Sequence, residues 1–104
     1  MKRMYKPTNN PVWKEDLIMC PSQCFCFFIA EGKRYCIYLR WRHGDPWTAQ
    51  LRPEDKENEI CYYLYWEWLE VEDYTHDDYK ELEKECIKVV TKRFNDIQWM
   101  EEKE

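Results

Sequence analysis

Between residues 34 and 67 apolar side chains fall at alternate positions, and between Tyr79 and Phe94 they fall at every third or fourth. The first spacing is the two-residue period of a strand with one buried face; the second is the 3.6-residue period of an amphipathic helix. A chain whose period switches in this way is restricted to a sheet followed by a helix, each burying its apolar side against the other. With 104 residues and 44% hydrophobic content there is enough apolar surface for one core but not for two, so residues 1–104 read as a single α+β domain.

The sheet is expected over residues 17–72. A short apolar stretch at 17–20 ends at Pro21, and the continuous run 24–30 has strand length. Glu31, Gly32 and Lys33 supply a hairpin turn. The return strand, 34–42, sets Tyr35, Ile37, Leu39 and Trp41 on one face and Cys36, Tyr38, Arg40 and Arg42 on the other. Residues 43–46 (His-Gly-Asp-Pro) predict a second turn, since Gly permits positive φ and Pro fixes the chain before Trp47, Ala49 and Leu51 resume period two. Pro53 and the charged run 54–59 predict a third. Ile60, Tyr62, Leu64 and Trp66 then form the core face of a fourth strand, with Cys61, Tyr63, Tyr65 and Glu67 opposite. A shift of the apolar positions to Leu69 and Val71 predicts a β-bulge near Trp68.

A helix is expected over 75–94. Thr75 can cap its first turn with Asp78 three residues on, and Asp77 and Asp78 suit the positive end of the helix dipole. Tyr79, Leu82, Cys86, Val89, Val90 and Phe94 form the apolar stripe; Asp77 with Lys80, Glu81 with Lys84 and Glu85 with Lys88 form i,i+3 pairs on the wet side. Such a helix spans about 28 Å, close to an eight-residue strand, so one helix covers one sheet face. The architecture is therefore a two-layer, four-stranded antiparallel β-meander with one C-terminal helix, β-β-β-β-α. Residues 1–16, with Pro7, Pro11 and two adjacent Asn, read as an N-terminal arm, and 95–104 as a docked tail or a helix extension.

Six cysteines stand mostly within apolar runs, where a free thiol behaves as a small hydrophobe, and this favours reduced, packed thiols over a disulfide framework. Cys20, Cys24 and Cys26 with Cys36, Cys61, His43 or His76 offer the residue types of a zinc site. Structural zinc, however, takes paired thiolates from a tight turn, whereas Cys24 and Cys26 in a strand stand about 7 Å apart. No metal and no cofactor is expected. Catalysis by a thiol would need a base beside it, and neither His43 nor His76 has a context that positions it. With two Gly there is no phosphate-binding loop. No run has the length of a membrane span and no leader pattern is present, so a cytoplasmic protein is expected.

Charge is divided unevenly. Residues 1–52 hold nine Lys/Arg against four Asp/Glu, and residues 53–104 hold seven against seventeen. Two surfaces follow. Acidic residues including Asp77, Asp78, Glu81 and Glu85 suit docking on a basic partner, in the manner of acidic inhibitors from phages and mobile elements. On this basis the expected function is a non-enzymatic protein-interaction module, an inhibitor or adaptor whose partner is a nucleic-acid-handling protein or, for the sheet face, a second copy. The alternative is single-stranded nucleic-acid binding by the sheet face opposite the core, where Tyr38, Arg40, Arg42, Tyr63 and Tyr65, with Gln50 and Arg52, would stack bases and neutralise phosphate.

Overall fold

The structure, a computed structural model, describes residues 4–18, 22–42, 47–54, 67–71 and 78–103. Its elements are β1 (Met4–Thr8), β2 (Trp13–Asp16), β3 (Ser22–Ala30), β4 (Lys33–Trp41), β5 (Trp47–Glu54), β6 (Glu67–Val71), α1 (Tyr79–Arg93) and β7 (Gln98–Lys103). All strand pairs are antiparallel. Strand order is β1-β7-β3-β4-β5-β6, with β2 paired to β3 off that path.

Strands β3 to β6 are consecutive antiparallel neighbours, in outline the expected meander, with Glu67–Val71 as the described fourth strand where one beginning at Ile60 is expected. The β3–β4 turn is tight because Glu31 (φ 53°) and Gly32 (φ 76°) both adopt the left-handed conformation between the paired residues Ala30 and Lys33. Two positive φ values are the signature of the type I′ hairpin, whose twist matches that of the strands it joins. Three further strands correct the expected plan. The N-terminal arm contains β1 and β2. Residues 98–103, expected as tail or helix extension, form β7, which pairs with β1 on one side and with Phe27, Phe28 and Ile29 of β3 on the other.

The reason that the helix does not continue is local. Phe94 turns extended (φ −115°, ψ 142°) while its N–H donates to the Val90 carbonyl at 3.0 Å, and Asp96 takes φ 54°. Asp tolerates that conformation better than most residues, and the chain reverses there. The helix also begins later than expected, at Tyr79, and Asp78 makes no side-chain capping hydrogen bond. Thr75, Asp77, the turn at 43–46 and the strand expected at 60–66 lie outside the described residues; within β6 the pairing runs one-to-one from Glu67 opposite Leu51 to Val71 opposite Trp47, so the five residues of β6 carry no bulge at Trp68.

One face of the sheet packs on α1. Cys24, Cys26, Phe28, Ala30, Ile37, Leu39, Trp47, Ala49 and Leu51 meet Leu82, Cys86 and Val90 in a continuous core, to which Trp13, Tyr35, Trp41, Phe94 and Trp99 add partly buried surface. Phe28 sits at its centre, with Tyr35, Phe94 and Trp99 rings 5.2–5.6 Å away. The opposite face departs from a simple two-layer plan. Phe27, Cys36, Tyr38 and Met100 are buried there, with Tyr5, Phe25 and Ile29 packed against them. The alternation of β3 therefore serves two apolar clusters, which explains why residues 24–30 read as an unbroken apolar run rather than as alternating inside and outside positions.

Candidate functional site

A polar cluster, half open to solvent, lies where β2, β3 and α1 meet. Glu15 of β2 lies directly opposite Cys24 of β3 in the antiparallel register, and the even spacing along β3 puts Cys24 and Cys26 on the helix side. Lys80 and Glu83, three residues apart on α1, share the face that comes down on this corner. Lys80 Nζ donates to Glu15 Oε2 at 2.8 Å and lies 3.6 Å from Glu83 Oε1. Ligand atoms of Glu15, Cys24 and Glu83 all fall within 4.8 Å of one another.

Glu83 is the unusual member, because only 4% of it is exposed. Water solvates an ionised carboxylate far better than a protein interior does, so burial favours its neutral form. Burial is the main cause that pushes the Glu83 carboxyl up to about 8; hydrogen bonding and charge repulsion from Glu15 add to this, and Lys80 offsets only part. At Glu15 burial also acts upward, but hydrogen bonds with Glu83 and Lys80 outweigh it and hold that carboxyl below its usual range. The pair thus shares one proton at neutral pH, Glu15 ionised and Glu83 neutral. As a carboxylate, Glu83 would have its Oε2 buried with no donor facing it among the described residues. Lys80 is held charged chiefly by its bond to Glu15.

The neighbouring thiols are the reverse of activated nucleophiles. Burial first, and then the negative potential of Glu83 and Glu15, drives the Cys24 thiol far above its usual value. Burial likewise raises Cys26 and Cys86 to about 12. Cys24, Cys26, Cys36 and Cys86 are buried and form no disulfide, but Cys36 lies in the cluster on the other sheet face, so it shares no site with Cys24. The remaining expected zinc ligands, Cys20, Cys61, His43 and His76, lie outside the described residues.

The sheet does bring together part of the expected Tyr/Arg face. Tyr38 and Gln50 are register partners, and so are Arg40 and Thr48, with Arg52 two residues from Gln50. It is not an open platform. Tyr38 is 5% exposed and Gln50 3%; the Arg52 guanidinium lies 4.1 Å over the Tyr38 ring, its Nε donates to Gln50 Oε1 at 3.0 Å, and Tyr38 Oη donates to Gln23 Oε1 at 2.8 Å. Arg40 is half-buried and Arg42 exposed. Tyr63 and Tyr65 lie outside the described residues.

On α1, Glu81 is exposed and Glu85 half-buried, and each faces a lysine one turn on, Lys84 at 3.6 Å and Lys88 at 3.4 Å. Lys80 points instead to Glu15. The excess of acid is concentrated ahead of the helix: residues 54–78 contain ten Asp/Glu and one Lys. Where β2 and β7 part along the edge of β3, a cleft of about 240 Å³ is lined by Val12, Trp13, Lys14, Phe27, Glu101 and Glu102, which is below the range of small-molecule sites. Searches of protein-family models, curated proteins and solved structures return no match to this chain.

Glu15 and Glu83 were not singled out by the sequence pattern, although a signal for Glu83 exists. At 100° per residue it falls in the middle of the arc drawn by Tyr79, Cys86, Val90 and Ile87, inside the apolar stripe, whereas Val89 falls outside it. The structure agrees: Val89 is 49% exposed and Glu83 is buried. Nothing in the local sequence marks Glu15 as its partner 68 positions away.

Proposed function

We propose that this protein is a non-enzymatic interaction module, an inhibitor or adaptor that docks on a basic partner through the acidic segment 54–78. The observation that carries this reading is the distribution of charge along the sequence. The helix carboxylates Glu81 and Glu85 are matched by Lys84 and Lys88, and Arg34 and Arg52 lie over the rings of Tyr5 and Tyr38. Ten acids against one lysine in 54–78 are the largest local excess of either sign. Acidic charge of that density raises the rate of encounter with a cationic groove and makes binding sensitive to salt. The buried, proton-retaining thiols support a role without covalent chemistry at Cys24, Cys26 or Cys86.

Affinity capture from the source cell with mass-spectrometric readout tests the proposal. A basic, nucleic-acid-handling protein should be retained at low salt and released as salt is raised. Changing Glu57, Glu59, Glu67 and Glu70 together to Gln should abolish its capture, while Glu81→Gln with Glu85→Gln should leave it. Equal capture by the fourfold variant would overturn the reading. Single-stranded nucleic-acid binding is the weaker alternative, because the one described tyrosine of that face is buried and its ring is already covered by Arg52.

A further inference from the structure

We propose that Glu15, Cys24 and Glu83 form a binding site for a single zinc-class divalent cation that ties α1 to the β2–β3 edge. Two independent observations support it. Three potential ligand atoms from three separate elements already lie within 4.8 Å of one another. Glu83, nine-tenths and more buried, keeps its Oε2 without a hydrogen-bond partner among the described residues. A buried oxygen with no donor is costly unless a proton or a cation completes it.

The chemistry of the set selects the ion. Once Cys24 and Glu83 give up their protons to solvent, one thiolate sulfur with two carboxylates suits zinc, whose bonds are about 2.3 Å to sulfur and about 2.0 Å to oxygen; magnesium and calcium take oxygen ligands and leave thiols aside. Tetrahedral bonds of those lengths separate ligand atoms by roughly 3.5 Å, so the three side chains would draw in from their present spacing of up to 4.8 Å. Glu15 keeps 23% of its side chain exposed, which leaves an entry path and room for water as a fourth ligand.

Lys80 is the competitor, because its ammonium already answers part of the negative charge. Its side chain is 60% exposed and swings out to solvent without unpacking the core. Cys26 and Cys86, on the neighbouring strand position and helix turn, form the apolar wall behind the site. This inference concerns the interior corner of the fold and does not depend on the acidic segment proposed for docking.

The test uses the untagged full chain, freed of metal by dialysis against chelator, titrated with Zn²⁺ by calorimetry and with Co²⁺ by absorbance. One equivalent should bind, and Co²⁺ should give a tetrahedral spectrum with a thiolate charge-transfer band. Cys24→Ser should abolish that band, and Glu83→Gln, which preserves the neutral shape of the side chain and so should fold, should weaken binding by at least about tenfold, the lower end of what even outer-shell metal partners contribute. Lys80→Met should strengthen it. Lack of saturable binding would overturn the proposal, and so would affinity unchanged in both Cys24→Ser and Glu83→Gln, since the ion would then sit on residues elsewhere.

Discussion

At Glu83 a side chain that prefers water occupies the middle of a helix stripe, and its proton sets how stability depends on pH. Its carboxyl retains a proton up to about pH 8 in the folded chain, while in the unfolded chain it ionises near its ordinary 4.5. The folded state therefore holds more protons between those values, and stability from this group falls as pH rises from about 4.5 to about 8. The Glu15 effect has the opposite sign, present above its ordinary value and lost as pH drops below it. Thermal melts of metal-free protein should show a midpoint that declines toward pH 8, and Glu83→Gln should flatten the decline and be the more stable chain at pH 8; an unchanged slope would refute the shared-proton reading. The thiols give a second expectation. Cys24, Cys26, Cys36 and Cys86 should resist alkylation in the native state and react together on unfolding, as read by mass mapping. At Leu82, wholly buried between α1 and the sheet, Leu82→Ala should cost about 2–5 kcal/mol in a denaturant titration.

Among the elements, the hairpin turn and the last strand are where conformation and pairing decide the outcome. Glu31 holds φ 53° in a type I′ turn, a conformation that Asn adopts with less strain. Glu31→Asn, which creates Asn-Gly at this turn, should stabilise the chain by about 0.5–1 kcal/mol, seen as a rise in melting temperature. Strand β7 bridges β1 to β3 and places Trp99 in one apolar cluster and Met100 in the other. Backbone amides of residues 99–101 should therefore exchange hydrogen as slowly as those of β3, and removal of residues 97–104 should abolish cooperative unfolding. Fast exchange there would mean that the strand is only an appendage.

At the scale of the whole molecule the sheet has apolar clusters on both faces, one under α1 and one around Phe27, Cys36, Tyr38 and Met100. This shapes the functional reading. A two-layer fold with an open outer face would expose Tyr38 for stacking, whereas the observed fold buries it and leaves arginines over rings. A labelled single-stranded oligonucleotide should accordingly show no binding that depends on Arg40. Loss of affinity in Arg40→Ala, with a steep salt dependence in the parent, would revive the nucleic-acid alternative. Among the described residues no helix is long and apolar enough to cross a membrane.

The strands and helix that carry strong periodicity were legible from the chain alone, because period two over β4 and β5 and period 3.6 over α1 are repeated many times within each element. The same holds for the pairs Glu81–Lys84 and Glu85–Lys88, which lie within one helical turn and need no tertiary information. Short segments were not legible. Residues 4–8, 13–16 and 98–103 carry few alternations each, and they become strands only because the edges of β3 and β7 offer unpaired backbone groups for them to satisfy. The meeting of Glu15, Cys24, Lys80 and Glu83 belongs to the tertiary structure entirely: α1 returns across the β2–β3 edge and closes residues from three distant stretches around one corner. There burial, which no residue carries in isolation, turns an ordinary glutamate into a group that needs either a proton or a cation.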